Sequence, residues 1–341
     1  MFKEVLEGKA KISIPVEKKI SRKLPVFYNP IMSFNRDMSV YVLNALNNKD
    51  MQIALPLAGT GVRAVRFFKE LKKGIIRSVY INDTSENAVK LIKNNLKNNN
   101  VRSKFEISNS DANIFLVNGL GFDYIDIDPF GSPNHFLSNS IMRLSRNGIL
   151  AVTATDTSAL CGTYTNACKR KYWAIPLRNE LMHEVGLRIL IRKVQLIGAD
   201  FEKALTPVLS YSKDHYMRIF FKCEKGKTKV DKIIKQHSMF EKAGPLWAGT
   251  INDKKLLKKI IKNLPENYPE KKFIQLLHDE LDVVGFYDIH VLAKKYKISP
   301  LLKIEKIIKA IKRNYKVTRT HFSQTGLKTN AKEGEIVKCM K

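Results

Sequence analysis

Between residues 52 and 156 the chain alternates short apolar or β-branched runs with helix-like stretches. Residues 52–57, 78–83, 104–108, 122–128 and 148–156 carry the period-2 pattern of strands. Residues 61–71, 85–98 and 133–144 carry the 3.6-residue period of helices. Strand, helix and strand in succession require parallel pairing with the helix crossing over, so the region reads as an α/β fold with a doubly wound sheet. Two further strand-like runs, 205–211 and 215–223, are separated by Ser212-Lys-Asp. An antiparallel hairpin closing one sheet edge is expected there.

After Cys223 the chain turns polar and Lys-rich, Glu224-Lys-Gly-Lys-Thr-Lys, which places a domain boundary between 225 and 226. The 341 residues suffice for two domains, each with its own core. Residues 226–341 hold 26 basic and 12 acidic residues, half of the net charge of +28 in a third of the length. Such a charge repels itself unless an acidic partner shares the surface, and nucleic acid is the commonest large one. In this basic part 288–296 and 300–314 read as helices joined by Lys297-Ile-Ser, and 315–322 as a strand. That is the order of a winged helix-turn-helix, although a helical cap with a solvated lysine face has the same pattern. No run approaches the roughly 18 apolar residues of a membrane span, and the first residues lack a signal-peptide core. A cytoplasmic protein without membrane contact or an obligate protein partner is expected. The four cysteines form no Cys-x-x-Cys pair and His183-Glu184 lacks a second histidine, so neither a disulfide framework nor a metal site is predicted.

Leu55-Pro-Leu-Ala-Gly-Thr-Gly-Val-Arg follows the first strand of the repeat and opens a helix. Gly59, Thr60 and Gly61 are placed where backbone can approach a ligand closely. Asp83, at the end of the next strand, can accept both hydroxyls of a ribose. The loop matches neither Gly-x-Gly-x-x-Gly nor a Walker sequence, which leaves a nucleoside cofactor without pyrophosphate, such as S-adenosylmethionine. Asp111 and Ala112, after the third strand, stand where such folds hold adenine; Asp111 is equally suited to capping the next helix. Asp126-Ile-Asp-Pro-Phe-Gly-Ser-Pro133 closes the fourth strand, at the sheet edge where ligands bind. An exocyclic base amine is a poor nucleophile because its lone pair is delocalised. A carboxylate (Asp128) and a carbonyl (Pro129) accepting its N–H bonds would concentrate charge on nitrogen, and Phe130 would stack the flipped base. Cys161, the candidate thiolate for carbon methylation, has no activating neighbour in sequence.

The blocks Phe27-Tyr-Asn-Pro-Ile-Met-Ser-Phe-Asn-Arg-Asp37, Asp128-Pro-Phe-Gly with Ser132-Pro133, Cys161-Gly-Thr-Tyr, Gly244-Pro-Leu-Trp-Ala-Gly249 and Thr318-Arg-Thr-His-Phe322 occur in this order. Together they resemble the archaeal and eukaryotic tRNA (guanine-26-N2)-dimethyltransferases. The resemblance implies a class I S-adenosylmethionine-dependent (Rossmann-like) methyltransferase domain, residues 1–225. A smaller α+β domain with a winged-helix-like part, 226–341, would hold tRNA. It implies that Arg36, Arg66, Asp83, Asp111 and Ala112 bind the cofactor, with Arg63 one turn before Arg66. Asp128 becomes the catalytic carboxylate, and Phe27 and Phe130 sandwich the guanine. Arg63 or Arg66 can instead pair with an acid such as Glu70, and Phe27 can simply anchor the N-terminal arm. Many members carry two Cys-x-x-Cys pairs after the sheet domain; only Cys223 stands there in this chain. The competing readings are a DNA adenine-N6 or cytosine-N4 methyltransferase, disfavoured because Phe130 directly follows Pro129, and a non-catalytic nucleic-acid-binding protein.

Overall fold

The computed structural model of the protein describes residues 2–16 and 26–341. A hairpin of β1 (Phe2–Glu7) and β2 (Ala10–Pro15) precedes α1 (Ser33–Leu46). The expected repeat follows as β3 (Met51–Leu55), α2 (Val62–Glu70), β4 (Ile76–Asn82), α3 (Glu86–Asn98), β5 (Phe105–Ser108), α4 (Ala112–Asn118), β6 (Phe122–Ile127), α5 (Asn134–Arg143) and β7 (Leu144–Ala154). Then come α6 (Thr165–Tyr172), α7 (Met182–Asp200), and the edge strands β8 (Lys203–Lys213) and β9 (Tyr216–Lys225). The seven strands lie in the order β5-β4-β3-β6-β7-β9-β8, parallel up to β7 and antiparallel for β9 and β8. The edge hairpin forms as expected, but its strands run through Lys213 and restart at Tyr216, so Asp214-His215 makes the turn.

The sheet is covered on both faces, and the alternation of its residues decides which side chain goes where. On β6 and β7, Ile125, Ile127, Leu150 and Val152 pack toward α4, α5 and α7. Tyr124, Ile149 and Ala151 pack on the opposite side with α1, α2 and α3. Helix α7, the longest at 19 residues, buries twelve of them, and its absence from the strand–helix rhythm above reflects an apolar surface too broad to show a stripe. The N-terminal hairpin is tied to α3 by two asparagines. The Asn95 and Asn99 side chains exchange hydrogen bonds of 2.7–3.1 Å with the main chain of Ser13 and Lys11.

The composition break at 226 coincides with Gly226, the N-cap of α8 (Lys227–Ile234), but the apolar packing continues across it. Val230 and Ile233 of α8 and Leu246 and Trp247 of β11 (Ala243–Trp247), which pairs with β10 (His237–Phe240), join the core on the α7 side. Helices α9 (Lys254–Asn263) and α10 (Lys271–Asp279) join the core on the α1 side. A separate small core unites β12 (Tyr287–Asp288), α11 (Ile289–Tyr296), α12 (Ile304–Ile311), β13 (Val317–Arg319), β14 (Gly326–Thr329) and α13 (Glu333–Met340). Its sheet order β12-β14-β13 behind two helices is that of a winged helix. The second helix is shorter than the expected 300–314, because Pro300 to Lys303 at one end and Lys312 to Asn314 at the other stay outside it. Among the described residues no helix is long and apolar enough to cross a membrane.

Candidate active site

Strand order reverses at β3: β4 and β5 lie on one side of it, β6 and β7 on the other. The loops leaving the carboxyl ends of β3 and β6 therefore diverge and open a crevice between them. A cavity of about 370 Å3 occupies it, within the range of small-molecule sites. Gly59, Thr60 and Arg63 line it from one loop and Asp128, Pro129 and Phe130 from the other. Arg36 and Phe27 also line it, from the segment preceding β3.

The first loop comes close because of Gly59. Its φ is +55°, and a Cβ there would lie 3.0 Å from the Phe27 carbonyl oxygen. Its N–H donates to Asp83 Oδ2 at 2.8 Å, so the acid expected to meet a ribose also holds the glycine loop. Burial raises the Asp83 carboxyl above its usual range, and hydrogen bonds from the Ser85, Gly59 and Thr84 N–H groups oppose this. The buried Thr60 Oγ1 has no hydrogen-bond partner among the described residues and Thr60 borders the cavity, so a ligand there would meet an unsatisfied polar atom. Asp111 caps α4, accepting from the N–H groups of Asn113 and Ile114 at 2.8 and 3.3 Å, and Ala112 is buried behind it. Neither lines the cavity; they flank it beyond β4, at the end of β5.

At the end of β6, Arg63 binds the proposed reactive carboxylate. Its Nη2 donates to Asp128 Oδ2 at 2.5 Å and to Asn35 Oδ1 at 3.0 Å, and its Nη1 donates to Ser39 Oγ at 2.6 Å. Asp128 Oδ1 takes no hydrogen bond from the described residues, and the side chain is one-fifth exposed. Beneath lies a fully buried pair: Arg218 of β9 grips Asp126 with bonds of 2.9 and 2.8 Å, and Tyr124 adds a third at 2.5 Å. Burial opposes ionisation of Asp126, but the Arg218 and Arg63 charges and the hydrogen bonds from Arg218 and Tyr124 outweigh it and hold the carboxyl below the usual carboxylate range.

The structure gives several of the expected site residues other partners. Arg66 does not line the cavity; it binds Glu7 at 3.1 Å, Asp37 at 2.6 Å and Glu70 at 2.8 Å, the alternative that pairs it with helix acids. Arg36 does line the cavity, but Glu7 of the N-terminal hairpin holds its fork at 2.6 and 2.5 Å. The Phe27 and Phe130 rings do not form a slot. They touch edge to face with centroids 4.0 Å apart, a contact that leaves no room for a base between them. Burial pushes the Cys161 thiol up to about 11 and that of Cys168 up to about 12, the behaviour of core thiols rather than nucleophiles.

Glu7, Asn35, Ser39, Arg218 and His215 escaped the sequence reading. Asn35 and Ser39 share a face of α1, four residues apart, and a polar pair on an otherwise apolar helix face is the signal that could have found them. Glu7 and Arg218 reach the site from distant strands and His215 from the turn between β8 and β9, and none of them carries a local signal.

The family model described as N2,N2-dimethylguanosine tRNA methyltransferase matches residues 8–242 and 235–341. A tRNA (guanine(26)-N(2))-dimethyltransferase of Pyrococcus furiosus is 40% identical, with 99% of this chain and 98% of that protein covered. A tRNA (guanine(26)-N(2)/guanine(27)-N(2))-dimethyltransferase of Aquifex aeolicus is 38% identical over 98% of this chain and 95% of that one. Among solved structures, that of Trm1 from Pyrococcus horikoshii with S-adenosyl-L-methionine superposes with a TM-score of 0.90 at 37% identity, covering 99% of both chains.

Proposed function

This chain belongs to the N2,N2-dimethylguanosine tRNA methyltransferase family, and from that membership and the site geometry we propose how its residues carry the reaction. The enzyme methylates the exocyclic N2 of guanine 26 in tRNA to N2,N2-dimethylguanosine and uses S-adenosylmethionine. The relatives' names favour this reading over a DNA amine methyltransferase or a non-catalytic binder.

S-adenosylmethionine supplies an electrophilic methyl group; activation of the amine falls to the protein. We assign Asp128 Oδ1 and the Pro129 carbonyl as acceptors of the guanine amine's N–H bonds, with Asp128 taking the proton released. The observation that carries this is the Arg63–Asp128 clamp: one carboxylate oxygen is fixed and the other left for substrate. Gly59, Thr60, Gly61 and Asp83 are assigned to the nucleoside part of the cofactor, with Asp111 and Ala112 at adenine. Arg36 suits the cofactor's carboxylate, and Glu7 is the group that competes for it. Arg66 acts one step back, by holding Glu7. Phe27 and Phe130 must part to stack the guanine. Residues 1–225 form the catalytic unit and 226–341 the basic part that holds tRNA, in the cytoplasm.

The test uses two unmodified tRNA transcripts, one with guanine and one with adenine at position 26, and nucleoside mass spectrometry after digestion. N2-methylated guanosine is expected only in the first. Asp128→Ala should lower kcat by about 10²–10⁴ while cofactor affinity by calorimetry stays near wild type. Wild-type turnover in that variant removes Asp128 from its role.

A further inference from the structure

The block Cys161-Gly-Thr-Tyr has no part in the chemistry above, yet it leads into a helix, α6, that is anchored on the reacting loop. Gly131, directly after Phe130, donates its N–H to Thr155 Oγ1 at 2.7 Å and accepts from the Thr155 N–H at 3.0 Å. The far end of α6 is tied to the same loop: Ser132 Oγ and Tyr172 Oη are 3.0 Å apart, and Asn134 Nδ2 donates to the Lys171 carbonyl at 2.9 Å. Helix α6 thus leads away from the catalytic mouth for about 12 Å, the rise of its eight residues.

At its outer end Gly162 turns the chain with φ +82°, and a Cβ there would lie 2.4 Å from the Leu177 carbonyl oxygen. Only glycine allows this turn, which pushes residues 163–166 out into solvent. Tyr164 is 62% exposed beside a hollow of about 410 Å3 that Thr163, Asn166 and Arg170 also line. Lys169, Arg170 and Lys171 are all exposed in the last turn of α6, and Arg178 joins them by donating to Thr163 Oγ1 at 2.6 Å. Asp156, 3.8 Å from Lys171, is an acid at this face, and Glu180 is exposed two residues after Arg178. Basic residues suit the carbonyl end of a helix for its own sake. That does not account for a large aromatic ring held in water at the opposite end by an obligatory glycine.

We infer that this face receives the phosphate backbone of the tRNA strand carrying the target guanine, with Tyr164 stacking on a neighbouring base. The inference rests on the tRNA reading above. Cations beside an exposed ring are what an RNA backbone with unstacked bases selects, and a strand entering the catalytic mouth must cross the surface next to it.

The test measures KM for the guanine-26 transcript at several salt concentrations, with kcat and cofactor affinity as checks on folding. Lys169→Ala/Arg170→Ala should raise KM roughly tenfold and flatten the slope of log KM against log salt by about 1.5, some 0.7–0.9 per phosphate contact. Tyr164→Ala should raise KM at least fivefold, and Tyr164→Phe, which keeps the ring, should restore it. Lys72→Ala/Lys73→Ala, exposed in the turn before β4 at the sheet edge opposite the crevice, serves as the distant control. Methylation by wild type with KM and slope unmoved in the α6 double variant overturns the surface alone, as does an equal effect of the control pair. Failure of wild type to methylate the transcript overturns the tRNA reading, and this surface with it.

Discussion

Asp126 and Asp128 sit two residues apart at the end of β6 and do different work because of their surroundings. Asp126 is on the strand, 2% exposed and committed to Arg218, Arg63 and Tyr124. Asp128 is past the strand end and shares only one oxygen with Arg63. The buried pair fixes Arg63, and Arg63 fixes the carboxylate we propose as the reacting one. Arg218→Met removes one charge of a fully buried pair, so Asp126 is left largely uncompensated. A destabilisation of about 3–5 kcal/mol is expected, read from the urea midpoint. A loss below about 1 kcal/mol would mean that Arg63 alone can satisfy Asp126.

Between elements, the loop from β3 to α2 does two jobs with few atoms. Gly59 lets the backbone turn, and its N–H, bound to Asp83, links the ends of β3 and β4. Gly59→Ala forces a Cβ into a left-handed conformation, at a cost of about 1–2 kcal/mol, and against the Phe27 carbonyl. Because the loop borders the cavity rather than the core, the cost should appear in binding. Cofactor affinity by calorimetry is expected to drop roughly tenfold while the far-ultraviolet spectrum stays unchanged. The glycine loop could be read from sequence because turn chemistry is local. The hairpin from Phe2 to Pro15 could not, since it is held by Asn95 and Asn99, more than eighty residues away.

Across the whole molecule, a buried ionic cluster docks the winged helix on the catalytic body. Lys328 of β14 reaches Glu184 of α7 at 2.7 Å and Glu280 at 3.8 Å. Glu280 also binds His321 at 2.5 Å and Thr320, and His321 Nε2 accepts from the Ser212 N–H at 3.4 Å. Burial works against the Glu280 charge, but His321, Lys328 and Thr320 bring its carboxyl down to about 2 from an ordinary 4.5. A depressed folded-state value means that ionised Glu280 contributes stability above about pH 4.5, about 3 kcal/mol, which is lost as pH falls towards 2. Denaturant unfolding between pH 6 and 2 should therefore lose more stability in wild type than in Glu280→Gln. Parallel pH curves for the two would remove Glu280 from the acid sensitivity.

Much of the catalytic half was written locally. The βαβ rhythm, the glycine loop, Asp83 and the Asp128 motif depend on period, turn residues and position at a strand end, properties of neighbours in the chain. Arg66 and Arg36 were harder, because a guanidinium declares its partner only when the fold supplies one, and here Glu7 arrives from the first hairpin. Arg218 and Lys328 look like ordinary strand cations in sequence and are almost wholly buried in the structure. The sheet, the crevice and the carboxylate at its edge follow from the order of residues along the chain. Which charges neutralise one another is settled by the packing of the folded molecule. Pairing of buried charges is a matter of distance in space across 92 residues for Arg218 and Asp126 and 144 for Lys328 and Glu184, and no local pattern encodes it.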